Sequence, residues 1–463
     1  MKPKIYKSLE EARCVLLKQV KKFVASKQKY DKEKLKIVRL EVVLEKAHPL
    51  EWLTLQDCPR KIFWGNRSQK EQYAGIGTAL EVKDGKDGYE KILLTVTEYL
   101  RKSPKTVRFF GGMRFDSKAV TSPEWQDWGT AHFTLPMIEL SLVDQTPTLA
   151  CHIIIGKDTQ AKLEILQTML ESVRVEDISI PDSPLIRLER HDLPEYRQWC
   201  DLVEQGLKNI SSGKLNKVVL ARSAVFSLAR DYDPTELLLQ LRRQAPQAFH
   251  FCFQLAPHQA FLGITPELLY RRSGRKIESE AIASTRPRGQ KEEEDRVLSV
   301  ELLSNPKERA EHLMLVDLER NDLGRICQDG SVCVTDFMFL EKYSHVSHIV
   351  SNITGNLAPG ARVYDILKSV FPGGTITGCP KIRCMEIISE LEPVVRGPYS
   401  GSFGYIGFGP YMDLNIIIRS IVIYDETASF HVGAGIVADS DPQKEYQETL
   451  DKASAMMQAL SHP

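Results

Sequence analysis

Alternation of apolar and polar positions dominates the middle of the chain. From Phe249, the run FHFCFQLAPHQAFLGITPELLYRRSGRKIESEAI switches between the two classes, with breaks at Pro257–His258 and Ser273–Gly274. Successive side chains of a strand point to opposite faces, so this pattern predicts a β-meander. The runs FFGGMRF (109–115), TAHFTLPMIELSLV (130–143), TLACHIII (148–155) and KVVLARSAVF (217–226) predict further strands. Shorter β-like runs bounded by Pro and Gly lie within 36–58 and 62–82. Trp125 and Trp128, in the segment before the second of these strands, read as core or sheet-edge anchors.

Apolar positions spaced three and four apart predict helices elsewhere. One lies in 1–35, through Leu9, Val15, Leu16, Val20 and Phe23, followed by a charged loop. Others cover 160–175, His191 to about Ser211, and 234–245. Asn305 can cap, and Pro306 open, a helix in LLSNPKERAEHLMLVDLERNDLGRI (302–326). Asp441 and Pro442 serve a C-terminal helix in the same way. Upstream of it, Gly433-Ala434-Gly435 reads as a turn after a short strand. The segment 175–184, rich in Pro and acids, reads as a linker. Hairpins with interposed helices predict an α+β fold and not a doubly wound parallel sheet.

The 463 residues carry 61 Lys+Arg and 61 Asp+Glu, a formal net charge of zero. That balance argues against nucleic acid or a membrane surface as a partner held by bulk charge. Nine cysteines without CxxC pairs read as reduced thiols, with Cys252, Cys327, Cys333, Cys379 and Cys384 mostly buried. No run of eighteen apolar residues and no signal-peptide core is present, which gives the expectation of a cytoplasmic protein.

Two acidic pairs stand out. Glu445 and Glu448 are three apart at the start of the last helix, as are Glu308 and Glu311 after Pro306. Acids in a first helical turn ordinarily complement the helix dipole, and Glu308 occupies a capping-box position. Glu311 is harder to explain that way, because Leu315 and Leu318 share its stripe. Gly433 and Gly435 leave backbone amides open to an anion. Four carboxylates without a Cys/His set favour a hard cation, and Mg²⁺ meeting an anionic substrate fits best.

These stretches, together with RPRG (286–289), GGTITGCPK (373–381), YSGSFGYIG (399–407) and IIIRS (416–420), resemble the chorismate-utilising enzymes, which include isochorismate, salicylate and anthranilate synthases. The motifs cover about 195–455; FFGGMRF and the Trp segment resemble the family more loosely. The resemblance implies one compact fold of two antiparallel sheets packed as a sandwich with surrounding helices. Within it, 1–190 would be a β-rich N-terminal half and 191–463 the chorismate-binding half.

By that resemblance, Glu311 and Glu448 are expected to ligate Mg²⁺ directly, with Glu308 and Glu445 acting through water. Arg419 and Tyr399 match positions that hold a substrate carboxylate, helped by the Gly433, Ala434 and Gly435 backbone. Arg419 also interrupts an apolar run, where a guanidinium calls for an anion. Thr285, His348 and Thr375 match other pocket positions. The glycine loop FPGGTITGCPK lacks Walker spacing, reads as pocket lining, and offers Pro380 as a helix first residue. Lys217 and Glu267 would carry the proton transfers, although each also reads as an ordinary strand-end or loop charge. Family members that add water at ring C2 have lysine at the Lys217 position, whereas amine-adding anthranilate synthases typically have glutamine. Many relatives read Ala-Gly-Thr where this chain has Ala283-Ser284-Thr285, which bears on substrate fit.

The expectation is therefore an Mg²⁺-dependent isochorismate synthase, exchanging the C4 hydroxyl of chorismate for one at C2. It would feed menaquinone or phylloquinone, salicylate or siderophore synthesis, as a monomer without a glutaminase subunit. Salicylate synthase is the near alternative. An anthranilate or aminodeoxychorismate synthase and a non-catalytic chorismate-binding protein are the others.

Overall fold

In a computed structural model, the described residues are 4–25, 35–84, 88–120, 122–176, 189–228, 233–289, 291–342, 346–409 and 411–461. The first half contributes β1 (Ile5–Tyr6), β2 (Lys36–Leu44), β3 (Lys61–Gly65), β4 (Glu71–Asp84), β5 (Arg108–Met113), β6 (Ala131–Val143) and β7 (Thr146–Ile155). Between and after them lie α1 (Leu9–Ala25), α2 (Pro49–Thr54), α3 (Tyr89–Arg101) and α4 (Thr159–Ser172). Next come β8 (Arg190–Leu193), β9 (Lys217–Ser227), β10 (Phe249–Ala256), β11 (Gln259–Thr265), β12 (Leu268–Ser273) and β13 (Lys276–Pro287). They are followed by β14 (Cys333–Lys342), β15 (Val346–Asn356), β16 (Gly378–Cys379), β17 (Ser402–Gly407), β18 (Met412–Ile416), β19 (Ser420–Tyr424) and β20 (Thr427–Ile436). The helices of this half are α5 (Tyr196–Ser211), α6 (Pro234–Gln244), α7 (Glu292–Ser304), α8 (Pro306–Gly324), α9 (Val363–Val370), α10 (Lys381–Leu391) and α11 (Pro442–Ser461).

Strand pairing resolves into two antiparallel sheets, as the α+β expectation requires. One runs β2-β7-β6-β4-β3-β10-β11-β19-β20-β9, with β8 and β16 both on the far edge of β9. The other runs β5-β17-β18-β12-β13-β15-β14. They join where β5 pairs with the first residues of β6. The short β1–β2 pair is parallel. Because β3 pairs with β10, and β5 with β17, the two halves of the chain share both sheets.

The alternation that predicts the meander also fills the space between the sheets. Phe249, Phe251 and Phe253 project from one face of β10 and meet Phe261, Phe403, Tyr405, Trp64 and Trp128. Trp128 and Phe261 stand edge to face at 4.6 Å, Phe261 and Phe403 at 5.3 Å. Such pairs contribute about 0.5–1.5 kcal/mol each beyond their buried area. Trp125 and Trp128 are thus core residues.

Several expectations are corrected. His191 lies in strand β8, and the helix begins at Tyr196. The region 36–58 holds helix α2 besides β2. Cys333 is exposed, whereas Cys252, Cys327 and Cys384 are buried; all nine cysteines are free thiols. Pro380 precedes α10 as its cap instead of opening it. Most of the linker-like segment 175–184 lies outside the described residues.

Where neighbouring strands run this close, even a methyl is excluded. A Cβ on Gly112 would stand 1.9 Å from the Ser402 carbonyl oxygen across the β5–β17 pair. Gly112→Ala is expected to lower stability by about 1–3 kcal/mol, read as a reduced urea midpoint; an unchanged midpoint contradicts this packing.

Candidate active site

The chain passes between the sheets twice at one place. Pro266–Glu267 connects β11 to β12, and Ile417–Arg419 connects β18 to β19. Backbone bonds tie the crossings together: Ile416 N donates to Glu267 O at 3.0 Å and Ile264 N to Arg419 O at 3.1 Å. Arg419 holds a left-handed backbone, φ +49°, and a Cβ on Gly263 would lie 2.8 Å from its carbonyl.

The Glu267 side chain is buried, and its Oε1 has no hydrogen-bond partner among the described residues. Burial pushes its carboxyl up to about 8, with Glu319 and Glu280 acting in the same direction. The Thr375 hydroxyl and Arg419 oppose that rise. The Thr375 Oγ1 lies near enough to favour the ionised form, but not in hydrogen-bond geometry. Arg419 Nη2 stands 3.4 Å from His348 Nε2. His348 pairs with Thr285 in the β13–β15 register; the side chains of Ser284 and Thr285 lie outside the described residues.

Gly433-Ala434-Gly435 is no turn. These residues lie inside β20, opposite Ala221, Leu220 and Val219 of β9. The amides of Val219 and Ala221 turn to the other edge, donating to Thr377 O at 2.9 Å and Glu392 Oε1 at 2.8 Å. By the alternation of antiparallel ladders, Gly433 and Gly435 direct their own N–H groups away from β9. The pairing of β20 with β19 ends at Ser429, so among the described residues no strand meets those amides there. The glycine amides are thus turned to a strand edge and not to a turn.

Both glycines also make room for side chains. A Cβ on Gly435 would fall 3.2 Å from Lys217 Nζ, and one on Gly433 3.0 Å from the Tyr399 hydroxyl. Lys217 begins β9 yet is buried, not a solvated strand end. Burial lowers its pKa, and the Lys452 ammonium acts in the same direction; Glu311, Glu448 and Glu445 oppose. Tyr399 is pushed up to about 12 by burial and stacks on His431, ring centroids 5.4 Å apart.

The glycine loop runs along the edge of β9. Gly378 pairs with Val218 and Cys379 with Lys217, and a Cβ on Gly378 would fall 2.2 Å from the Lys217 carbonyl. The loop is therefore a sheet edge along β9. Arg396, which sequence reasoning missed, locks this region. Buried, it donates to both Glu392 oxygens, to Ile376 O, Val219 O and Ser400 Oγ.

The two acidic pairs influence one another electrostatically. α8 lies on β13 and β15, and α11 on β20. Asn305 caps α8 through Lys307 and Glu308 N–H, and Asp441 caps α11 through Gln443 and Lys444 N–H. Glu308 forms no capping box; it pairs with Arg286 at 3.1 Å. Burial raises the Glu311 pKa, and Glu308 and Glu448 add to the rise. Burial also raises Glu445, with Glu448 and Glu311 adding. Carboxylates on both helices therefore feel one another and Lys217. Lys452 Nζ stands among them, 2.7 Å from Glu448 Oε1 and 3.1 Å from Gly433 O. Among the described residues, no three His, Cys, Asp or Glu side chains stand close enough to hold a metal ion.

The profile of the chorismate binding enzyme family matches residues 59–458. The chain belongs to this family. Among its relatives is anthranilate synthase component 1 of Synechocystis, 46% identical over 277 residues, 58% of this chain and 54% of that protein. Aminodeoxychorismate synthase component 1 of Bacillus subtilis is 48% identical over 262 residues, 57% of this chain and 55% of that protein. The chain thus spans about half the length of the curated relatives it matches. The fold is that of the menaquinone-specific isochorismate synthase MenF of Escherichia coli: TM-score 0.82, 23% identity, 97% of this chain and 99% of that one. Anthranilate synthase component I of Streptococcus pneumoniae gives a TM-score of 0.67 at 26% identity, covering 93% of each chain. Among the described residues no helix is long and apolar enough to cross a membrane.

An acid buried in its neutral form imposes a pH signature. Glu267 ionises near 4.5 unfolded but near 8 folded, so its contribution is full below the first value and is lost as pH rises through the second. Stability to urea is expected to fall across that window, by up to about 1.4 kcal/mol per pH unit for one proton. Glu267→Gln, with no proton to lose, flattens the fall. Identical pH slopes in wild type and variant contradict the assignment.

Proposed function

We propose that the protein is an isochorismate synthase acting on chorismate with Mg²⁺. The observation that carries this reading is Lys217: a buried amine of lowered pKa, set against Gly435 at the open edge of β20. A neutral lysine can take a proton from water attacking ring C2. Glu267, held protonated by burial, supplies a proton to the departing C4 hydroxyl. Water adds and hydroxide leaves as water, so atoms and charge balance and the reaction is reversible.

Arg419 and Tyr399 bind a substrate carboxylate beside the edge-facing amides of Gly433 and Gly435, with His348 and Thr375 completing the wall. The all-carboxylate donor set suits a hard cation, and the Lys452 ammonium already pairs with one of its oxygens, Glu448 Oε1. Glu311 and Glu448 would hold Mg²⁺, with Glu308 and Glu445 beside them, once Lys452 and Arg286 release Glu448 and Glu308. When bound, the ion supplies charge that fixes a carboxylate of the substrate and favours the neutral form of Lys217.

The identities of 46% and 48% favour a second reading, an amine-adding synthase. The relatives carrying those identities are named as component 1 of anthranilate and aminodeoxychorismate synthases. Against an anthranilate synthase stands Lys217 itself, because by the family resemblance such amine-adding enzymes typically have glutamine at that position.

Product analysis tests the reading. Purified protein with chorismate and Mg²⁺ is expected to form isochorismate without pyruvate, and chelation by EDTA abolishes turnover until Mg²⁺ is restored. Lys217→Gln lowers kcat by at least about a hundredfold. Salicylate with pyruvate indicates a salicylate synthase, and anthranilate or aminodeoxychorismate on adding ammonium indicates the second reading.

A further inference from the structure

A second buried carboxyl stands behind Glu267. Glu319 lies on α8, eight residues beyond Glu311, with its side chain inside the protein. Its Oε2 is 2.7 Å from Ser279 Oγ, and the same Oγ is 2.8 Å from the Leu269 carbonyl oxygen. A hydroxyl has one proton to give, and a backbone carbonyl has none. If Ser279 donates to Leu269, its contact with a bare carboxylate would set lone pair against lone pair. If it donates to Glu319, the same conflict moves to Leu269. A proton on Glu319 Oε2 satisfies both contacts at once: Glu319 donates to Ser279, and Ser279 donates to Leu269.

The charges facing Glu319 agree. Asp322, one turn on, is paired with Lys381 of α10 at 2.5 Å, and Glu267 approaches from the crossing. Burial first, and then Asp322, push Glu319 up to about 7, while Ser279, Lys381 and the Gly374 amide oppose. That amide begins the single 3₁₀ turn Gly374–Ile376, which carries Thr375 to the Glu267 carboxyl.

We propose that Glu319 is a positioning residue carried as the neutral acid, joining α8, the β12–β13 hairpin and the Gly374–Ile376 turn so that Thr375 and Glu267 keep their mutual placement. Its effect on turnover rests on the reading of Glu267 as the acid. Its protonation does not.

Infrared difference spectroscopy of wild type against Glu319→Gln tests the protonation without substrate. Just below neutral pH, the expected spectrum shows loss of one protonated-carboxyl stretch; absence of that loss overturns the proposal. Should Glu319→Gln not fold, Ser279→Ala removes the acceptor and is expected to shift the same band, and an unshifted band overturns it equally. Glu319→Gln, which can still donate to Ser279, is expected to keep kcat within about twofold with an unmoved pH profile. Glu319→Ala lowers kcat about tenfold or more with little change in KM, and moves the limb belonging to Glu267. Wild-type behaviour of Glu319→Ala, or a displaced profile in Glu319→Gln, overturns it. A wild type inactive on chorismate defeats only the functional reading, because the infrared result stands apart from it.

Discussion

The pair of backbone hydrogen bonds between the crossings, Ile416 to Glu267 and Ile264 to Arg419, is the constraint on which the site depends. An acidic and a basic residue are thereby held on adjacent connections between two sheets, above an aromatic core that cannot yield. Neither side chain chooses its depth. The sheets set it, and Glu267 is driven into a place where its charged form is disfavoured. The strained φ of Arg419 belongs to the same geometry, since the chain must turn sharply to leave one sheet for the other.

Electrostatics then divides the region in two. Around Glu267 lie groups that favour neutrality: burial, Glu280 and Glu319. Around Lys217 lie acids of α8 and α11 that favour its charge, outweighed by its burial and by Lys452. An amine and a carboxyl whose environments push each toward its uncharged form are the pairing that proton transfer requires. Repulsion among Glu311, Glu445 and Glu448 is a cost the fold carries, and Lys452 offsets part of it in the protein alone.

Much of this was legible in the chain. The meander, the helix caps at Asn305 and Asp441, and the inward aromatic stripe of β10 follow from local patterns that tertiary structure keeps. Failures came where tertiary structure overrode local preference. Gly433 and Gly435 look like turn residues, yet they are strand positions kept free of side chains for Lys217 and Tyr399. Arg190–Leu193 has no strand pattern of its own and becomes β8 because β9 offers an open edge. Glu319 and Arg396 escaped notice because a charged residue in a polar stretch ordinarily faces water. For Glu319 the signal was available, since it continues the partly apolar stripe of Glu311 and Leu315.

Arg396 gathers the cap of α10 at Glu392, the middle of the glycine loop at Ile376, β9 at Val219 and Ser400 just after Tyr399 onto one guanidinium. Segments fastened to a common hub do not fray separately. Amide exchange in the stretch after Gly373 and along the first residues of β9 is then governed by a single opening event, and these parts of the wall behave as one cooperative unit and not as independent loops.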